Sequence, residues 1–169
     1  YRFRLMQFTQ SLQDLGVFKA ANAGGTGWFT SGSAPAGDIS STRPLAENII
    51  ALIILPKLAD ADNPSGTSLV GDDFSYDSRT TWSGSSTQPV QMNQLPPLIH
   101  VVMVAIDEPS AQRYCTSTTP PNFGQDSLFK NPDNLEDDLK EMEKNLREKN
   151  ISYEIFRADI GIRGAKWSQ

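Results

Sequence analysis

A chain of 169 residues with 38% hydrophobic content is long enough to bury the core of a single domain, here 1–169, and its many Gly, Pro, Ser and Thr residues imply long loops over 20–43, 59–94 and 116–132. A net charge of −5 argues against nucleic acid as the main partner, because phosphate binding needs a basic footprint. The one cysteine, Cys115, closes no intramolecular disulfide, which fits either a reducing compartment or an envelope protein without bridges.

In chain order, Tyr1-Arg-Phe-Arg-Leu alternates apolar and basic residues as a strand does, while Met6 and Phe8 sit on the other parity, so a bulge or a two-sided strand is expected. Residues 11–19 read as a short helical turn or an irregular extended piece. The small-residue loop that follows is pinned by Trp28 and Phe29. Residues 45–55 are a buried strand or a buried helix, with Ile49, Ile50, Ile53, Ile54 and Pro56 favouring the strand. Phe74 to Asp77 is a short strand candidate between loops. Leu98 to Ile106 is the clearest strand, its pairing starting after Pro96 and Pro97. Asp107 or Glu108 then opens a helical turn reaching Tyr114, with Pro109 at an early position.

The segment from 130 onward carries nearly half of the charged residues. Leu135, Leu139, Met142 and Leu146 step by four, three and four, the stripe of an amphipathic helix. Asp133 with Glu136 resembles a capping box, Glu136–Lys140 and Glu143–Arg147 are favourable four-residue pairs, and Asn150 suits a left-handed cap. Ile151 to Arg163 then alternates as a half-buried strand, with Ile151, Tyr153 and Ile155 on one face.

No catalytic constellation can be assembled from one His and one Cys, so the chain is not expected to be an enzyme and no catalytic, cofactor or metal residue is assigned. His100 lies inside an apolar strand and reads as a core or cross-strand residue, since a metal site needs companions. Asp60, Asp62 and Asn63, with Asp72, Asp73 and Asp77 further on, faintly resemble a calcium loop but lack the closing glutamate; a solvated acidic loop is the plainer account. Asp137 and Asp138 fall on the wet face of the helix. Gly24, Gly25 and Gly27 lack the lysine of a phosphate cradle. Trp28 and Trp82 serve either as core plugs or as ligand platforms, and Trp167 packs the terminus down.

Leu45-Ala-Glu-Asn-Ile-Ile-Ala-Leu-Ile-Ile-Leu, Tyr76-Asp77, Trp82 and Leu95-Pro-Pro-Leu-Ile-His-Val-Val-Met-Val together resemble the globular domain of J-type minor pseudopilins of type II secretion, over roughly residues 45–106. Over nearly the whole chain, Arg2-Phe-Arg-Leu-Met-Gln-Phe, Pro44-Leu-Ala-Glu-Asn-Ile-Ile-Ala-Leu, Asn93-Gln-Leu-Pro-Pro-Leu, Met103-Val-Ala-Ile-Asp-Glu and Ile162-Arg-Gly-Ala-Lys-Trp-Ser resemble the pilin-like Verru_Chthon cassette protein C family.

The resemblance implies an α+β, mainly antiparallel pilin-like head with a C-terminal amphipathic helix and strand. It implies a structural role in assembling a type II secretion or type IV pilus-like apparatus, with other pilin-like subunits as partners. It places the head on the periplasmic or outer side of the bacterial envelope, anchored by an N-terminal helix. That leader and helix are not in this sequence: no run reaches the ~18 apolar residues of a membrane span, no signal peptide is visible, and the chain opens on Tyr1. The alternative expectation is an envelope or secreted β-rich module that binds glycan or calcium through Trp28, Trp82 and the Asp60–Asp77 loop.

Overall fold

The computed structural model describes residues 3–8, 42–57, 74, 76, 78 and 92–165. The chain falls into two compact units, Arg2–Ile49 and Ile50–Gln169, and its architecture is mixed α+β with antiparallel sheets. The expected turn at 11–19, most of the 20–43 loop, the Asp60–Asp73 stretch and all three tryptophans lie outside the described residues.

In the first unit, β1 (Arg4–Phe8) pairs antiparallel with β2 (Thr42–Glu47), so β2 begins inside what the composition marks as loop. The register shifts between Leu5 and Met6, where the apolar parity of the sequence changes. One extra residue there lets both parities stay in the ladder. Arg4 Nε meets Glu47 Oε1 at 3.3 Å, and Arg43 Nε donates to Gln7 Oε1 at 2.7 Å.

The run 45–55 is extended apart from Asn48, and it is two strands rather than one. Asn48 stands at φ 60, in the left-handed region that Asn tolerates better than β-branched residues, and its N–H donates to the Phe3 carbonyl at 2.7 Å. β2 ends before it and β3 (Ile49–Lys57) starts after it.

The second unit is built on the sheet β3–β4–β5, with β4 (Leu98–Ile106) in the middle and β5 (Tyr153–Gly161) beside it. β4 and β5 run antiparallel, from Leu98 opposite Gly161 to Ile106 opposite Tyr153. The ladder extends past both ends, through Asp107 N–H to the Ser152 carbonyl at 3.0 Å and Ile162 N–H to the Pro97 carbonyl at 2.8 Å. Phe74 and Tyr76 are not in a strand: Phe74 has φ 60 and sits at a bend, so the short strand expected there does not form among the described residues.

Two helices connect β4 to β5. Helix α1 (Glu108–Tyr114) has Asp107 as its N-cap, Oδ1 accepting from Ser110 N–H at 3.0 Å, and Pro109 in its first turn. Helix α2 (Leu135–Glu148) follows a 3₁₀ turn at Pro132–Asn134. The Asp133–Glu136 capping box does not form. Asn131 Oδ1 instead caps the 3₁₀ turn through Asp133 N–H at 2.8 Å, and that extra turn moves the N-cap of α2 one residue on, to Asn134. Glu143 pairs with Arg147 as spaced, at 3.0 Å, but Glu136 reaches Arg157 on β5 at 3.1 Å and Lys140 turns to Asp137 at 2.7 Å.

The core lies between α2 and one face of the sheet. Leu135, Leu139, Met142 and Leu146 are buried, as are Val102, Val104 and Ile106, with Phe123, Ala111 and Ile151 completing the cluster. Each buried Leu, Val, Ile, Met or Phe side chain among them contributes about 1.5–3 kcal/mol relative to exposure. Glu136–Arg157 near the start of α2 and Arg147 Nε to the Tyr153 hydroxyl (3.0 Å) near its end hold the helix along β5 on this face. The end of α1 is stitched to the end of α2: Arg113 donates to the Asn150 carbonyl and the Tyr114 hydroxyl to the Lys149 carbonyl, both at 2.6 Å, supplying partners that a helix C-terminus lacks.

Candidate interaction surface

His100 stands directly opposite Asp159 on the helix-covered face of the sheet, with Nδ1 2.6 Å from Oδ1. The histidine side chain is 12% exposed and the aspartate 63%. This is a cross-strand pair, and it fixes the ring of the one histidine. Cys115 is half-buried at the C-cap of α1, where its N–H donates to the Ala111 carbonyl at 2.8 Å. Among the described residues no three His, Cys, Asp or Glu side chains gather as metal ligands would.

The adjacent acidic residues of α2 have different roles. Asp137 is exposed, and the Lys140 ammonium beside it holds its carboxyl below the usual range. Asp138 is half-buried rather than on the wet face, because Oδ2 accepts from Phe129 N–H at 2.7 Å and ties the preceding loop to the helix. Asn145 fastens the same loop through the Phe123 carbonyl at 3.4 Å. Gly124 stands at φ 110, a conformation that side-chain-bearing residues rarely adopt, and a Cβ there would also lie 2.7 Å from Asn145 Nδ2. Of the segment between β3 and β4, Tyr76 donates its hydroxyl to the Gln94 carbonyl at 2.8 Å, and burial pushes its pKa up. Trp28, Trp82 and the acidic loop that would bind glycan or calcium are not among the described residues.

The feature that stands out is the sheet face turned away from α2. Alternation puts Ile99, Val101, Met103 and Ala105 of β4 on it, opposite Ile160, Ala158, Phe156 and Glu154 of β5. The β4 residues are half-buried, whereas Phe156 and Ile160 are 50% and 49% exposed. A shallow hollow of about 270 Å³ opens beside them, lined by Ala105, Ile106, Asp107, Ser152, Tyr153, Glu154 and Phe156. On β3, Leu52 and Ile54 are also exposed, at a separate hollow of about 300 Å³ lined with Ile53, Phe74 and Phe129. Phe156 and Ile160, two residues to either side of Ala158 on one face of β5, are the exposed apolar side chains of that strand's face.

The sequence carries a signal for this face that a single-parity reading misses. Along 151–163 the odd positions Ile151, Tyr153 and Ile155 face the helix, but Phe156, Ala158, Ile160 and Ile162 form a second apolar series on the even positions. A strand apolar on both parities is a strand with two faces to cover. Among the described residues, no helix is long and apolar enough to cross a membrane. Comparison with protein-family models, with curated proteins and with solved structures finds no match.

Proposed function

We propose that this chain is the head of a minor pseudopilin-like structural protein that helps assemble a type II secretion or type IV pilus-like apparatus. The observation that carries this reading is the open apolar face of β4 and β5, centred on Met103 and Phe156. Here α2 closes the face of Val102, Val104 and Ile106, and among the described residues the opposite face keeps Phe156 and Ile160 about half exposed beside half-buried Ile99, Val101 and Met103.

The function is then binding and assembly without catalysis. The partners are an apolar helix encoded upstream of Tyr1, which anchors the head to the membrane, and further pilin-like subunits on the periplasmic or outer side of the envelope. The coding sequence upstream of Tyr1 tests the reading. A leader followed by about 20 apolar residues is expected; an upstream sequence with no such run overturns it.

A further inference from the structure

The order β3–β4–β5 leaves β5 with a single neighbour among the described strands. The direction of its unused backbone groups follows from the ladder. Asp107 pairs with Ser152 and Pro97 with Ile162 through N–H to carbonyl bonds. Hydrogen-bonded and non-hydrogen-bonded pairs alternate in an antiparallel ladder, so the even-numbered residues of β5 direct their N–H and C=O to β4. The odd-numbered residues Tyr153, Ile155, Arg157, Asp159 and Gly161 direct theirs to the free edge.

An edge of nine residues invites pairing with another strand, and charges placed on it ordinarily discourage this. On β5 the charges have a particular order. Two copies related by a two-fold axis through Ala158, perpendicular to the sheet, place Arg157 of one opposite Asp159 of the other, twice. The same register places Phe156 opposite Ile160, also twice, and Ile155 opposite Gly161. Shifting the centre to Arg157 or Asp159 sets like charges face to face, which is unfavourable, and centring on Phe156 or Ile155 leaves no opposite-charge pair.

In the Ala158 register the outward-directed residues Arg157 and Asp159 form the hydrogen-bonded pairs. Phe156 and Ile160 fall in the non-hydrogen-bonded pairs, where side chains approach most closely. Arg157 and Asp159 are already oriented, by Glu136 at 3.1 Å and His100 at 2.6 Å, and both stay partly exposed.

We propose that β5 is a self-pairing edge, through which two copies of this chain join antiparallel about Ala158 into one six-stranded sheet. Charge complementarity identifies the partner as a second copy, and the apolar stripe of Phe156 and Ile160 becomes continuous across the junction. This inference is independent of the pilin-like reading.

Sedimentation equilibrium of the 169-residue chain over a wide concentration range tests it. A concentration-dependent dimer is expected. Arg157→Asp and Asp159→Arg each convert two attractive contacts into two repulsive ones and weaken self-association by at least about tenfold, from the size of cross-strand charge pairs. Mixing the two variants restores a dimer, because the carboxylates at positions 157 and 159 of one variant then face the guanidinium groups at positions 159 and 157 of the other. Restoration also shows that both variants are folded at this edge, and far-ultraviolet circular dichroism of each checks the rest. A wild-type chain that stays monomeric at every concentration overturns the proposal, as do variants that self-associate as tightly as wild type or a mixture that fails to form the heterodimer while both retain the wild-type spectrum.

Discussion

The N–H of Ile151 donates to the carbonyl of Leu146 at 3.0 Å, and that bond turns α2 into β5. Asn150 N–H reaches the Arg147 carbonyl at 2.9 Å, and Asn150 itself lies at φ 51. Together these make a Schellman turn, with Ile151 and Leu146 both buried as its accompanying apolar contact. The turn sets where β5 begins, and hence which of its residues face the helix and which face outward.

The left-handed residue gives the first prediction. Asn150→Gly leaves stability unchanged or slightly raised, whereas Asn150→Val lowers it by about 1–2 kcal/mol, the cost of a β-substituted residue in that conformation. Urea unfolding of the two variants beside wild type checks the order.

Leu146 is fully buried beneath the same turn. Leu146→Ala removes its contacts and leaves a cavity, and destabilises the chain by about 2–5 kcal/mol. Denaturant melts measure this as a lower midpoint with an unchanged slope, the mark of a stability change without a change in exposed surface.

What is legible in the sequence follows from how local the determining physics is. The stripe Leu135, Leu139, Met142 and Leu146, the cap at Asn150 and the strand Leu98–Ile106 are set by side-chain period and by turn chemistry within a few residues, and all appear where the spacing puts them. The break at Asn48 does not show in the composition of 45–55, because it depends on a hydrogen bond to Phe3 far away in the chain. The partners of Glu136 and Asp138 escape local spacing for the same reason. Arg157 lies on a strand that the helix must first pack against, and Phe129 on a loop that must first fold back. The open face needs the register of β4 against β5, which no stretch of sequence carries by itself.

Asp107 gives a pH dependence. The hydrogen bond from the Ser110 side chain, aided by Ser110 N–H, Ser152 and the Arg113 charge, holds its carboxyl below the usual range. A carboxyl depressed in the folded state contributes stability that is fully present above its unfolded pKa of about 3.9. That stability is lost as pH falls through the lower folded value. Asp107→Asn keeps an oxygen for the cap but cannot ionise, so its stability falls less steeply than wild type on the acid side. Unfolding free energies measured from about pH 7 down to about pH 3, a range that spans the unfolded carboxylate pKa, compare the two slopes.

In the pilin-like reading proposed above, the face of Met103 and Phe156 receives an apolar helix of the same protein. Placing a photoreactive phenylalanine analogue at Met103, irradiating the product in the cell envelope and mapping the adducts by mass spectrometry tests this directly. A cross-link within one chain, to an apolar segment upstream of Tyr1, is the expected product. A Met103 probe that reacts only with water, or with no apolar segment of its own chain, contradicts it.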